Sequence, residues 1–206
     1  MNNTLLIAST NPGKLREFQT ILQDLGVDLV LPADIGVSLE VVEDGENYYK
    51  NALKKALAYS QTSGLITLAD DSGLEVDALG GAPGLHSARF SPKPGATDAD
   101  RRAYLLEKLS GIPQPWPAHF HCTLVIALPN GEHYCFEGNC PGEIVNEERG
   151  QNGFGYDPIF QLADRSETMA ELEEYEKNLI SHRGRAVVAA IPTLKKILSA
   201  AKTNEI

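Results

Sequence analysis

The chain has no apolar run approaching the length needed to cross a bilayer. Its opening, Met1-Asn2-Asn3-Thr4, has neither the basic residues nor the longer apolar stretch of a secretory signal. Cysteine is scarce and odd in number: Cys122, Cys135 and Cys140 do not make a secreted disulfide framework. These absences lead to the expectation of a cytoplasmic protein with no membrane partner. Positive charge is also short, with 18 Lys and Arg against 28 Asp and Glu and a net charge of -10. Such a balance argues against a general DNA or RNA surface. A small phosphorylated ligand stays open, provided a few cations and a divalent ion converge locally. There is no internal repeat, low-complexity tract or long linker. Residues 1–206 therefore read as a single domain, with room for two lobes.

What is present is an alternation of strand and helix patterns. Leu5-Leu6-Ile7-Ala8 reads as a strand; Leu15, Phe18, Ile21, Leu22 and Leu25 follow at helical spacing, with Gly26 as a stop. Val27 to Leu31 predicts a second strand, Glu46 to Ser60 a helix closed by Gly64, and Leu65 to Leu68 a third strand. That order is the signature of an α/β sheet. Thr97 to Ser110 predicts a helix with Thr97 and Asp100 as a capping box. Phe120 to Leu128 and Glu132 to Phe136 flank Asn130-Gly131, a strong hairpin signal, so the sheet is expected to be mixed. From Ser181 the chain is helical, with Pro192 kinking or splitting that helix.

Two segments carry the chemistry. Ser9-Thr10-Asn11-Pro12-Gly13-Lys14 turns from the first strand into the first helix. A helix start of this kind offers free backbone N–H groups to an anion, and Lys14 adds a point charge for phosphate. It is not a Walker A loop, because Ala8 and Leu15 stand where a glycine and a hydroxyl would be needed. The plain alternative is an N-capped helix after a strand. The second segment, Ala69-Asp70-Asp71-Ser72-Gly73, places adjacent carboxylates at an expected strand end, pointing to opposite faces. With Glu43, in an acidic turn before a helix, Asp71 offers the hard oxygen ligands that Mg²⁺ prefers.

Ser181-His182-Arg183 begins the last helix, and an arginine there opposes the helix dipole, a mild hint of function. His182 and Arg183 can donate to a ring carbonyl, and Phe154 can stack on a base. Without the other motifs, an exposed cationic turn balancing Glu173, Glu174 and Glu176 would be the reading. His119, His121, Cys122, His133, Cys135 and Cys140 crowd the hairpin, but strand alternation scatters them over both faces. They show no zinc-ligand spacing.

In these segments the chain closely resembles the inosine triphosphate pyrophosphatase family, particularly its bacterial members. The matching motifs run in order: Ser9–Lys14, Glu43–Ala56, Ala69–Gly84, Ser87–Phe90, Gly153–Phe160 and Ser181–Ala186. The resemblance implies an elongated mixed α/β fold, its sheet flanked by helices and its two lobes set around a central substrate cleft, usually as a homodimer. It implies a Mg²⁺-dependent pyrophosphohydrolase that turns dITP, ITP and XTP into the monophosphate and pyrophosphate. Matching positions make Ser9, Thr10, Asn11, Pro12, Gly13 and Lys14 the triphosphate loop. Asp71 becomes a metal ligand and general base, and Glu43 a second metal ligand. Ser72, Phe154, Gly155, Tyr156, Asp157, Lys177, His182 and Arg183 complete the substrate contacts. Lys50 and Tyr48-Tyr49 depart from the family's usual Glu and Thr-Phe. Asp70 stays open as an alternative base. A preference for other triphosphates, or a nucleotide-binding regulator without turnover, are the competing functions.

Overall fold

The structure is a computed structural model that describes residues 4–203; Met1, Asn2 and Asn3 of the opening segment lie outside the described residues. The chain forms β1 (Thr4–Ile7), α1 (Pro12–Leu22), β2 (Asp28–Val30), α2 (Tyr48–Ser63), β3 (Ile66–Val76) and α3 (Asp98–Leu109). It continues with β4 (Trp116–Ala127), β5 (His133–Ile144), β6 (Phe160–Leu162), α4 (Glu174–Ile180) and α5 (His182–Thr203). One six-stranded sheet has the order β2-β1-β3-β4-β5-β6. β1 pairs in parallel with β2 and β3, and β5 pairs antiparallel with β6, so the sheet is mixed as the alternation and the hairpin signal predict.

The chain divides into two compact units. Among the described residues the first contains 4–71, 122–138 and 183–203, and its strands are covered on both faces. Leu5, Ile7 and Leu68 pack with Phe18 and Leu22 of α1 and Val187, Ala190 and Leu194 of α5. Leu6, Ala8 and Ala69 point the other way, against Ala52, Ala56 and Tyr59 of α2. Strand alternation thus feeds two apolar layers from one short run, which explains why β1 is apolar throughout. Asn130-Gly131 makes the expected turn: the Leu128 N–H donates to the Glu132 carbonyl at 2.8 Å, with Gly131 at φ +91°. Tyr49 of α2 meets His133 beside that turn, O–H to Nε2 at 3.1 Å.

The second unit holds residues 72–121 and 139–182. Its core gathers Leu105 and Leu109 of α3 with Leu74, Val76, Trp116, Phe120, Ile144 and Phe160. Thr97 caps α3 and forms the capping box with Asp100.

The end of β3 differs from expectation. β3 does not end at Leu68 but runs to Val76, so Asp70 and Asp71 sit within a strand rather than at its end. Burial is continuous from Thr67 through Asp71 because the carboxylates find partners, which apolar counting cannot see. Pro192 lies inside α5 without splitting it. Among the described residues no helix is long and apolar enough to cross a membrane.

Candidate active site

The first unit collects most of the expected phosphate and carboxylate residues. Asn11 caps α1, and its side-chain oxygen accepts from the Gly13 N–H at 2.9 Å and the Lys14 N–H at 3.3 Å. Pro12 has no N–H, and the Leu15 N–H donates to the Asn11 carbonyl at 3.1 Å. The loop therefore does not hold open first-turn amides as the sequence reading expects; the Asn11 cap occupies them. Ser9 accepts from the Asn11 N–H at 3.2 Å and stiffens the turn, while Thr10 is exposed. The charge the loop contributes is the ammonium of Lys14.

That ammonium lies 2.9 Å from Asp70 Oδ2. The same oxygen accepts from Arg183 Nε at 3.1 Å and Nη2 at 3.0 Å, and Arg183 Nη1 pairs with Glu17. Arg183 is 1% exposed and Asp70 equally buried, so the triplet it belongs to is no exposed cationic turn. A buried guanidinium requires carboxylate partners, and Asp70 and Glu17 supply them. Arg183 is thus engaged inside the first unit through Nε, Nη1 and Nη2. Burial alone would push the Asp70 carboxyl up. The charges of Lys14, Arg183 and Lys55 outweigh burial and hold it far below the usual carboxylate range. A carboxylate so held is a poor proton acceptor, which argues against Asp70 as the alternative base.

Asp71 is its opposite. It points to the other face of β3 and accepts from Asn51 Nδ2 at 2.8 Å. Burial raises its carboxyl above the ordinary value, and the charge of Glu43 raises it further. The Asn51 bond and the charges of Lys55 and Lys14 only partly offset this. Lys55 Nζ joins the two acidic segments, donating to the Asp70 carbonyl at 2.7 Å and pairing with Glu43. Sequence reading missed Asn51 and Lys55. Both lie on α2 one turn apart, on the face that meets the Asp-Asp strand, and their spacing is the one signal the sequence carried.

Among the described residues no three or more His, Cys, Asp or Glu side chains converge as a metal cage. Asp71 and Glu43 are instead two hard oxygen donors whose charges disfavour each other. That donor set fits a Mg²⁺ ion, which takes one or two carboxylates and completes its shell with water and phosphate oxygens.

The second unit holds the remaining expected residues. Ser72, next to Asp71 on β3, is half-buried. In the loop before β6, the Phe154 N–H donates to Asp157 Oδ2 at 2.8 Å, and Lys177 Nζ reaches the same oxygen at 2.6 Å. Lys177 also stands 4.7 Å over the Phe154 ring. Gly153, at φ +74°, has no room for a side chain, since a Cβ there would meet Asp157 Oδ2 at 2.1 Å. Tyr156 is buried and donates its O–H to the Ser87 carbonyl at 2.9 Å. His182 stacks on Phe120 with ring centroids 4.8 Å apart and planes 13° from parallel. Phe154, Gly155, Asp157 and Lys177 are thus brought together, with a cation, a carboxylate and an aromatic face side by side.

A sequence model described as the Ham1 family matches residues 5–193. The dITP/XTP pyrophosphatase of Desulfotalea psychrophila is 46% identical over 183 residues, covering 89% of this chain and 81% of that protein. That of Desulforamulus reducens is 45% identical over 194 residues, covering 94% and 96%. Among solved structures, a HAM1 protein from Coxiella burnetii superposes with a TM-score of 0.83 at 39% identity. The match covers 97% of this chain and all of that one. The fold, the sequence and the ordered motifs agree across nearly the whole length, and the chain is a member of the Ham1 family.

Proposed function

We propose that this protein is a nucleoside triphosphate pyrophosphohydrolase that converts dITP, ITP and XTP to the monophosphate and pyrophosphate. Its role would be to clear deaminated purines from the nucleotide pool. The dITP/XTP pyrophosphatase relatives support the reaction class. The observation that carries the reading is the contrast between the neighbouring aspartates. Asp70 is locked as an anion by Lys14 and Arg183, whereas Asp71 is held by a neutral amide with its proton affinity raised.

In this reading Ser9, Thr10, Asn11, Pro12, Gly13 and Lys14 receive the triphosphate, with Lys14 balancing charge on the departing pyrophosphate. Mg²⁺ held by Asp71 and Glu43 would supply Lewis-acid neutralisation at the phosphate oxygens. One water adds to phosphorus, the α–β anhydride bond breaks, and Asp71 takes the proton. Lys55 keeps Glu43 and the Asp70 backbone in place. Phe154 stacks on the purine, and Asp157, Lys177 and His182 read its edge. Gly155 and Tyr156 shape that loop, and Ser72 completes the contacts. Arg183 acts chiefly by fixing Asp70. Family membership also leads us to propose a homodimer and a cytoplasmic location.

The test is pyrophosphate release from dITP, ITP, XTP, dGTP, dATP and dTTP, with Mg²⁺ and then with a chelator. Cleavage of dITP, ITP and XTP that the chelator stops is the expected result. Cleavage centred on another base overturns the specificity, and binding without cleavage overturns the reaction.

A further inference from the structure

The loop that presents Phe154 is held by its own Asp157 on one side and needs a further hold at Gly155. Gly153 and Gly155 flank the aromatic residue, both in the left-handed region at φ +74° and +63°. Glycine carries the greatest backbone freedom, and the peptide that follows Phe154 has one local tie, its carbonyl accepting from the Asp157 N–H at 3.2 Å. A Cβ on Gly155 would meet nothing within 4 Å, so its neighbours do not confine it by crowding.

The hold on the Gly155 N–H and carbonyl comes from α3. Asp98 Oδ2 accepts from the Gly155 N–H at 2.8 Å, and Arg102 Nη1 donates to the Gly155 carbonyl at 2.9 Å. The two peptides on either side of Gly155 are therefore gripped by one carboxylate and one guanidinium, four residues apart on the same helix face. Both grips are charge-assisted. Each is braced in turn. Arg101 pairs with the other oxygen of Asp98, and Glu148 takes Arg102 through two bonds of 2.9 and 2.8 Å. A paired guanidinium on a carbonyl and a paired carboxylate on an amide exceed what a surface loop needs for solubility.

We infer that Asp98 and Arg102 are positioning residues for base recognition, clamping Gly155 so that Phe154 and the Asp157–Lys177 pair keep the geometry that reads the purine. This rests on the proposed role of Phe154. The clamp acts on binding and discrimination rather than on the chemical step, because neither residue is among those assigned to the phosphates.

The test compares Arg102→Ala, Asp98→Ala, Asp98→Asn and Phe154→Ala in the full chain. The readouts are KM and kcat on dITP and dGTP, together with melting temperature. Arg102→Ala and Asp98→Ala should raise KM for dITP about tenfold with kcat within about twofold. Because both act on one residue, Gly155, the double variant should be no worse than about the poorer single. Asp98→Asn keeps an acceptor oxygen for the Gly155 N–H and should recover most of the loss. If both alanine variants retain normal KM while Phe154→Ala raises it, the clamp is overturned and the base-reading site stands. If Phe154→Ala leaves KM unchanged, the base-reading role falls and the clamp with it. Lower kcat on both nucleotides, alongside a lower melting temperature and no recovery in Asp98→Asn, would make the contacts merely structural and also overturn it.

Discussion

Asn51 gives its amide N–H to Asp71 at 2.8 Å while its own amide oxygen accepts from the Gly45 N–H at 2.7 Å. The second bond fixes which end of the amide faces the carboxylate, since an oxygen there would repel it. One buried side chain therefore ties the acidic turn carrying Glu43 to the strand carrying Asp71.

Replacing Asp71 with Asn should separate activity from stability. The new amide oxygen can still accept from Asn51, so the local bond survives without the charge. Turnover should fall about 10²-fold or more, the scale of a lost general base. Stability should move the other way. Burial raises the Asp71 carboxyl above its unfolded value, so its favourable, protonated form is fully present below the unfolded pKa. That contribution is lost as pH rises through the folded one. At pH 7 the ionised side chain is a burden that asparagine lacks. Melting curves should show Asp71→Asn above the wild type at pH 7, with the gap closing as pH falls below about 4.

Gly45→Ala tests the same link from its far end. A Cβ at Gly45 would stand 2.6 Å from Asn51 Oδ1 and 2.9 Å from Lys50 Cβ. Its φ lies outside the left-handed region, so crowding and not backbone strain is what glycine avoids here. The Asn51 amide must shift, and kcat should fall about tenfold with a loss of about 1–3 kcal/mol in stability. Asn51→Ala should lower kcat similarly. The two changes together should do little more than either alone in a steady-state assay with denaturation curves, because they break one path.

The fold was legible in the sequence wherever a local rule governs it. The Asn130-Gly131 turn, the Thr97–Asp100 box and the apolar periodicity of α1 each follow from residues within a few positions. The end of β3 was not legible, because its polar half is buried by partners distant in the chain. Asn51 reaches Asp71 across 20 positions and Arg183 reaches Asp70 across 113. The site shows the same division. Asp71 and Glu43 could be named from residue type and motif, whereas Lys55 and Asn51 acquire meaning only once α2 packs on the strand. The Asn11 cap was one of two readings of the loop, and it forms because a side-chain acceptor two residues away needs no ligand.

Arg183→Ala should unfold the first unit's charge cluster. It leaves Asp70 and Glu17 buried without their guanidinium, a loss of about 3–5 kcal/mol. The acid limb offers a second reading. Asp70 is depressed in the folded state, so its contribution is present above the unfolded value near 3.9 and is lost as pH falls toward the folded one. Urea titrations of the wild type should therefore weaken below about pH 4. The same series on Arg183→Ala should start lower and fall less steeply, because the Asp70 carboxyl has lost one of the charges that depress it. A parallel slope would show that Lys14 and Lys55 hold Asp70 unaided.

Asn11→Asp distinguishes the cap from the phosphate loop. Aspartate caps a helix as well as asparagine does, and its charge favours the helix N-terminus by about 0.3–1 kcal/mol. The melting temperature should hold or rise slightly, because Gly13 and Lys14 keep their acceptor. A triphosphate arriving at the same loop meets a new negative charge beside Lys14. KM for dITP should then rise about tenfold at low ionic strength with kcat little changed. The penalty should shrink as salt is raised, since exposed charges are screened over about 8 Å at physiological ionic strength. An unchanged KM at every salt concentration would show that the phosphates do not approach Asn11, and would leave it a helix cap alone.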